Sequence, residues 1–179
     1  MHHQEITQFW FNYLKPKDWW RKSPHLDQLI RDRFEPVLIA AVKGELSHWR
    51  QDADGALAEI IVLDQFSRNI YRDTANAFSN DPQALVLAQH AVLRGQHLSL
   101  PPVRRAFMLL PYMHSESLHV HRQALALFDA PGLESNYQFE LRHMHIIERF
   151  GRYPHRNHVL GRPSSTEEAQ FLSEPGSSF

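Results

Sequence analysis

The sequence predicts an all-α protein, and three observations support that prediction. Only 7 of the 179 residues are glycine, and apolar residues recur at helical spacing along most of the chain. Alternating β-branched residues, which would indicate strands, do not occur. Helices of about 10–17 residues joined by short connections favour antiparallel helix pairs. We expect one domain over residues 1–179, because no low-complexity linker divides the chain.

The segment before the first predicted helix is rich in aromatic side chains. Aromatic residues dominate protein cores, so we expect this segment to pack on the helices. A partner-binding patch is the alternative interpretation. The aromatic residues concerned are Phe9, Trp10, Phe11, Tyr13, Trp19 and Trp20.

The first helix is predicted from an apolar face that repeats at positions i, i+3, i+4, i+7 and i+8. Pro36 is expected to end or kink that helix, and a second helix through 37–42 should stop near Gly44. The residues that define the first face are Leu26, Leu29, Ile30, Arg33 and Phe34.

Boundary signals define the later helices. A third helix is predicted over 55–71, and a fourth begins where Asp81 caps a helix with proline at its first position and ends at Gly95. The next helix is predicted from Pro101-Pro102 to Leu110, and Ser115 is expected to cap another that runs to about Phe128. Pro131-Gly132 breaks the chain, and a helix from about Ser135 to Phe150 then ends at Gly151. A capping box at Ser165–Glu168 is expected to start the last helix.

Composition excludes several classes of protein. A formal net charge of −1 provides no field to attract nucleic acid or an anionic membrane. The absence of cysteine excludes disulfides and cysteine zinc sites, and the longest apolar run, 37–42, is too short to span a bilayer. The N-terminus lacks the pattern of a secretory signal, so we expect a soluble cytoplasmic protein. His2 and His3 are not used as functional candidates, because two histidines at an N-terminus are either natural or part of an added tag.

The third helix places polar residues on an apolar face. Asp64 and Arg68 lie one turn apart there, and a desolvated carboxylate needs a partner that Arg68 can provide. Gln65 and Asn69 form a second polar pair beside them. Two interpretations stay open: a structural ion pair that locks the helix to its neighbours, or the polar wall of a pocket.

Histidines near two helix ends are further candidates. His143 lies on an apolar helical face, whereas His145 should be solvated. His143 is either a catalytic base or a core histidine bonded through one ring nitrogen, and we expect His121 to be core. His114 and Glu116 lie at a helix junction, where unpaired backbone groups suit capping or ligand contact.

An arginine-rich loop follows the helix that ends at Gly151. No carboxylate occurs between Glu148 and Glu167, and uncompensated guanidinium groups suit bidentate binding of carboxylate or phosphate. The alternative is that these arginines pair with distant acids such as Asp64. The predicted ligand-binding residues of the loop are Arg152, His155, Arg156, Asn157 and Arg162.

Catalytic motifs of known mechanism are absent. No phosphate-binding loop, dinucleotide fingerprint, nucleophile elbow or zinc helix occurs, and we expect no cofactor. Two Glu-x-x-His pairs suggest a di-metal bundle, but His119 points outward, so no metal site is expected. A hydrolase that uses Asp64, His114 or His143 with an arginine clamp stays open.

Two functional hypotheses follow. The first, which we favour, is a pocket that binds a small phosphorylated or carboxylated ligand, with hydrolysis as one outcome. Its residues are the candidates of the middle helix, the 114–116 junction and the arginine loop. The second is a module that binds a peptide or protein partner and whose buried polar network is structural.

Three motifs resemble one bacterial family, the domain of unknown function 924 family. They are Leu63–Asn69, Leu110–Glu116 and Arg149–Asn157 followed by Gly161-Arg162, and the resemblance covers almost the whole chain from about Glu5. It implies an all-helical fold similar to tetratricopeptide-repeat superhelices, and it implies no established activity, cofactor or catalytic residue.

The chain departs from the family pattern at two positions. Ser67 replaces a proline, and Met113 replaces a residue that is often acidic, so position 113 is a poor candidate for chemistry. The motifs fall on the same three segments that the polar residues mark. This agreement favours one shared site.

Overall fold

A computed structural model confirms the all-α prediction and describes residues 1–177. The last two residues of the predicted domain, 178–179, lie outside the described part. No strand occurs in that part. The α-helices are α1 (His3–Gln8), α2 (Pro16–Trp19), α3 (Pro24–Val42), α4 (Ala53–Ile61), α5 (Ser67–Ile70), α6 (Asp81–Leu93), α7 (Pro102–Met113), α8 (Leu118–Phe128), α9 (Glu134–Phe150) and α10 (Thr166–Leu172).

The central element is a continuous helical rod over 53–70. A π-helical turn, Val62–Phe66, joins α4 to α5, and residues 55–67 are all buried. The rod packs against α1, α3, α6 and α7. This burial on every side explains why apolar residues cover most of the circumference of the predicted third helix. Its observed bounds agree with the prediction of 55–71.

Pro36 does not end a helix, and the prediction of two helices between 26 and 44 is wrong. α3 runs without interruption from Pro24 to Val42. Proline removes the bond that the carbonyl of Asp32 would accept, but Asp32 and Pro36 are both exposed, so that carbonyl lies on the solvent side. Ser23 caps the start of α3 by accepting from the Leu26 amide.

Three other predicted boundaries need correction. Asn80, not Asp81, is the N-cap of α6, and Ser117, not Ser115, is the N-cap of α8. Ser115 Oγ accepts a hydrogen bond from the Ser117 amide at 3.2 Å in the preceding turn. α7 continues past Leu110 to Met113 although Pro111 lies inside it.

Other end signals are confirmed. Gly151 adopts a left-handed conformation, φ 69°, directly after α9, where a residue with a Cβ would be strained. Gly95 does the same beyond α6, with φ 70°. Ser165 and Glu168 form the predicted capping box of α10.

The aromatic N-terminus packs on the helices, as predicted for most of it. Phe9 and Trp10 are buried beside Phe66, in a second π-helical turn, Phe9–Tyr13, that continues α1. Tyr13 and Trp20 are instead 62% and 64% exposed. A strong helix signal is absent from this segment, and packing on the central rod gives it its conformation.

In the C-terminal half, helices that follow each other in the chain pack in pairs. α7 packs on α8, and α8 packs on α9. At the C-terminal end of α9, a small core of Ile146, Ile147 and Tyr153 supports the loop that leads to α10. Within residues 1–177, no helix combines the length and the apolar character needed to cross a membrane.

Candidate functional site

Asp64 lies in the π-helical turn of the central rod. Its side chain is only 1% exposed, and polar side chains contact both of its carboxylate oxygens. Gln65 donates to Oδ2 at 2.6 Å, and Arg68 Nη1 lies 3.0 Å from Oδ1. Burial acts to raise the pKa of Asp64, but the charge of Arg68 and the hydrogen bond with His114 together hold it below its usual value. Asp64 is therefore a buried, ionised carboxylate.

Arg68 bridges two carboxylates. It contacts Asp64 within the rod and forms a bidentate pair with Asp81 at 2.8 and 3.0 Å. Asp81 belongs to the first turn of α6, so this pair joins the rod to its neighbour. The Arg68 side chain remains 19% exposed. One face of the arginine is therefore within reach of solvent.

Arg156 brings the late loop to the same carboxylate. Its Nη1 lies 3.1 Å from Asp81 Oδ2, and its Nη2 donates to the backbone oxygen of His114 at 3.0 Å. The guanidinium stacks between Phe78 at 4.5 Å and Tyr153 at 4.7 Å. Its Nε has no hydrogen-bond partner in the described chain. Burial lowers the pKa of Arg156, and the nearby charge of Asp81 opposes that effect.

His114 completes this cluster. Its Nδ1 lies 2.7 Å from Asp64 Oδ1, and its side chain is 16% exposed. Within residues 1–177 no hydrogen bond reaches Nε2, which is not among the buried unpaired atoms. Burial and the charge of Arg68 lower the pKa of His114, although Asp64 opposes the shift. The imidazole is therefore neutral, donates through Nδ1 and keeps Nε2 available as an acceptor.

We call this cluster the His114 site and define it by five residues: Asp64, Arg68, Asp81, His114 and Arg156. Four of the five are predicted site residues, whereas Asp81 was predicted only as a helix cap. Two carboxylates and two guanidinium groups balance, so the site has no net charge when His114 is neutral.

Three side chains fix the backbone at His114. Tyr153 Oη donates to the carbonyl of Met113 at 2.5 Å, and Arg156 donates to that of His114 at 3.0 Å. His121 Nε2 lies 2.8 Å from the carbonyl of Ser115. The carbonyls at a helix C-terminus have no partners within the helix, so these bonds cap the end of α7. They hold the 113–115 backbone in one conformation.

His121 is itself held by Glu140. Both side chains are fully buried, and Nδ1 lies 2.5 Å from Glu140 Oε1. Burial raises the pKa of Glu140, while the hydrogen bond with His121 opposes that shift. Since Nε2 donates to Ser115, one further proton lies between Nδ1 and the carboxyl group. The expectation that His121 is a core residue is confirmed.

A second polar group lies outside the His114 site and consists of Glu116, Asn157 and Arg162. Arg162 pairs with Glu116 at 2.7 and 3.0 Å, and its Nε donates to Asn157 Oδ1 at 3.0 Å. Glu116 also accepts from the Tyr153 amide at 2.7 Å. Burial acts to raise the pKa of Glu116, but these bonds hold it below its usual value. This group fixes the late loop against the junction before α8.

His143 and His155 both pack against the Tyr153 ring. Their ring centroids lie 5.8 and 5.5 Å from that of Tyr153. His143 Nδ1 contacts the backbone oxygen of Phe139 at 2.8 Å, which is the predicted arrangement of a core histidine. Burial lowers the pKa of His143 to about 3 and that of His155 to about 4. His145 is exposed, as predicted.

Two further predicted ligand-binding residues also lie outside the His114 site. Arg152 pairs with Glu168 of α10 at 2.7 and 2.9 Å. Asn69 donates to Asp27 of α3 at 2.8 Å. The predicted pairing of Asn69 with Gln65 is therefore wrong, because Gln65 points at Asp64 instead.

The prediction that the loop arginines are uncompensated is also wrong. Arg149, Arg152, Arg156 and Arg162 each contact a carboxylate that is distant in sequence. The alternative of distant pairing holds, but with partners other than Asp64: Glu167, Glu168, Asp81 and Glu116 respectively. A local charge count could not find these acids, since they lie outside the 149–166 interval.

Sequence reasoning missed Asp81, Phe78, Tyr153 and the His121–Glu140 pair as parts of this arrangement. Asp81 has a capping signal that hid its second role. The Glu-x-x-His spacing did mark Glu140, but with His143 as the partner. In the described part of the chain, no group of three or more histidine, aspartate or glutamate side chains is arranged so that it could hold a metal ion.

Comparisons with known proteins agree with the fold. A solved structure of ATU0120, a protein of unknown function from Agrobacterium tumefaciens, is 35% identical over 95% of this chain and 96% of that one, with a TM-score of 0.90. No curated protein matches the chain. The model of the family described as "Bacterial protein of unknown function (DUF924)" matches residues 6–176. The chain therefore belongs to the bacterial DUF924 family.

Proposed function

We propose that the protein binds a small anionic ligand at the His114 site and that His114 accepts a proton there. The observation that carries this proposal is the Asp64–His114 contact of 2.7 Å, which leaves Nε2 unbonded within the described chain. A buried carboxylate that orients a neutral imidazole is the arrangement of a general base. The π-helical turn that holds Asp64 adds support, because such turns are frequent at functional sites.

Arg68 is the group that selects the ligand. Its side chain is 19% exposed and shares Asp64 Oδ1 with His114, so a ligand near Nε2 comes within reach of the guanidinium. Guanidinium groups bind carboxylate and phosphate in bidentate fashion. A ligand carboxylate or phosphate takes the exposed edge of Arg68 while Asp81 keeps the other contact. Arg156 is stacked between the rings of Phe78 and Tyr153 and contacts Asp81, so it helps to hold that carboxylate in place.

Hydrolysis is the reaction that this arrangement suits. His114 Nε2 takes one proton from a water molecule, the water oxygen bonds to the electrophilic atom of the anionic substrate, and the leaving group departs with that proton. The neighbouring guanidinium groups stabilise the negative charge that develops.

The pairing of every loop arginine favours a second candidate. In that case the cluster is a structural network that joins the rod, α6, α7 and the late loop, and the protein is a helical module that binds a peptide or protein. A tetratricopeptide-like superhelix and a cytoplasmic location belong to both candidates as proposals. The lack of cysteine supports a reducing compartment.

The substitution His114→Asn separates these candidates. The asparagine amide nitrogen can replace Nδ1 as the donor to Asp64, while the Nε2 position is lost. His145→Asn is the matched control, because it makes the same change at an exposed histidine. Thermal unfolding is measured for the three proteins with increasing inorganic phosphate and, separately, succinate. Circular dichroism first checks that the variants fold.

We expect one of the two anions to stabilise the unmodified protein and His145→Asn alike. The gain is about 2.7 kcal/mol when the anion reaches a hundredfold excess over its dissociation constant. His114→Asn should fold and show a much smaller gain. If neither anion stabilises the protein, or if His114→Asn responds fully, the proposal is wrong and the structural network is favoured.

A further inference from the structure

A polar cleft lies beside α1, away from the His114 site. Its volume is about 590 Å³, and we call it the N-terminal cleft and define it by six lining residues: Gln4, Gln8, Asn12, Asp52, Asp54 and Arg104. Asp54 lies in the first turn of the central rod and Asp64 ten residues later, so the cleft and the His114 site are about 15 Å apart along the rod. The proposed function does not use this cleft.

A row of carboxamides forms one wall. Gln4, Gln8 and Asn12 are exposed, follow each other at four-residue intervals, and all line the cleft. None of their side chains makes a hydrogen bond within residues 1–177. A carboxamide both donates and accepts, so it matches a group that also does both, such as a peptide unit.

The spacing of this row fits an extended chain. Four residues of an α-helix advance by about 6 Å. Two residues of an extended peptide advance by about 6.6 Å, and their amide groups then face the same side. Gln4 and Gln8 can therefore contact alternate peptide units, and Asn12, in the π-helical turn, continues the row.

The opposite wall is acidic. Asp52 uses Oδ1 to cap the Gly55 amide at 2.8 Å, but its side chain is 63% exposed. Asp54 pairs with Arg104 at 2.5 Å. His3 also lines the cleft, with its Nε2 3.9 Å from Asp52 Oδ2. With histidine counted as neutral, two carboxylates and one guanidinium leave an excess of negative charge, which favours a basic ligand.

Gln8 and Asn12 also line a neighbouring cavity of about 400 Å³. Tyr13, 62% exposed, and Arg33 line that cavity. A ligand longer than the N-terminal cleft can therefore extend past the π-helical turn. Among the described residues, no Phe, Tyr or Trp side chain lines the cleft itself, so it lacks the flat apolar face on which a sugar ring would stack.

We propose that the N-terminal cleft binds an extended peptide segment that contains basic residues. The carboxamide row hydrogen-bonds the peptide backbone, and Asp52 and Asp54 contact basic side chains. Recognition of the backbone makes binding tolerant of sequence, whereas the acidic wall selects charge. The occupant is an extended peptide, rather than a sugar or an anion.

The test uses the full-length protein and three probes. They are an acetylated and amidated pentapeptide of alternating alanine and lysine, the same peptide with glutamate in place of lysine, and maltotriose. Side-chain amide signals of the protein are followed by nitrogen–proton correlation spectroscopy. The double variant Gln8→Ala/Asn12→Ala tests the row, and Gln138→Ala, an exposed carboxamide on α9 outside the cleft, is the control.

We expect the lysine peptide to shift the signals of Gln4, Gln8 and Asn12 in the unmodified protein and in Gln138→Ala. Loss of two carboxamides should weaken its binding about tenfold or more. Equal binding of the glutamate peptide would overturn the assigned charge. Shifts with maltotriose alone, shifts outside the cleft, or full binding to the double variant would overturn the peptide site.

Discussion

His114 depends on side chains that are far from it in sequence. Tyr153, Arg156 and His121 bind the three consecutive carbonyls of residues 113–115, and Asp64 holds the ring itself. Each of these bonds joins two different helices or loops. The orientation of one imidazole is therefore a property of the packed helices and not of the local sequence.

At this scale we predict that Tyr153→Phe destabilises the protein by about 1–2 kcal/mol. The ring and its packing remain, but the buried carbonyl of Met113 loses its donor. Urea unfolding measures the loss, and nitrogen–proton spectra should show displaced signals for His114. Unchanged stability together with unchanged His114 signals would contradict the capping role.

The central rod shows how elements are joined by buried charges. Glu59 is fully buried in α4, and Arg50, from the 3-10 turn Ser47–Gln51, contacts both of its oxygens at 2.6 Å. Gly55 allows this turn to approach, because a Cβ there would lie 1.9 Å from the carbonyl oxygen of Trp49. The Arg50–Glu59 ion pair therefore holds the turn on the rod, and the lack of a side chain at Gly55 gives the turn room to approach.

For this element we predict that Arg50→Met costs about 3–5 kcal/mol of stability, because Glu59 is then buried without a partner. The double variant Arg50→Met/Glu59→Leu removes both charges and should recover most of the loss. Chemical unfolding of the two variants gives the comparison. A loss for Arg50→Met no larger than that of the double variant would contradict the role of the pair.

At the scale of the whole molecule, most helices could be predicted from sequence and the site could not. Helical spacing and end signals at Gly95, Gly151 and Ser165 are local, so they predicted α6, α9 and α10 well. α3 continues through Pro36 because the carbonyl of Asp32 lies on the solvent side, and the spacing of apolar residues does not reveal that position. The pairing of Asp81 with Arg68 and Arg156 depends on how distant helices meet.

Stability should fall as pH decreases from about 6.5 to about 5, because of buried histidines. Burial lowers the pKa of His143 to about 3 and that of His155 to about 4, from 6.5. Between these values and 6.5 the unfolded chain binds protons that the folded chain does not, so acid favours unfolding. Each such histidine contributes up to about 1.4 kcal/mol per pH unit.

His143→Gln should reduce that slope, measured by urea unfolding at several pH values in this range. The comparison uses the slope, so a change in overall stability caused by the substitution does not affect it. A slope equal to that of the unmodified protein would show that folding does not lower the pKa of His143.

The most direct test of the His114 site is the state of the His114 ring nitrogens, observed by long-range nitrogen–proton spectroscopy at neutral pH. We predict a proton on Nδ1, none on Nε2, and a change in the Nε2 signal when phosphate or succinate is added. A proton on Nε2, or an Nε2 signal that neither anion moves, would contradict the account.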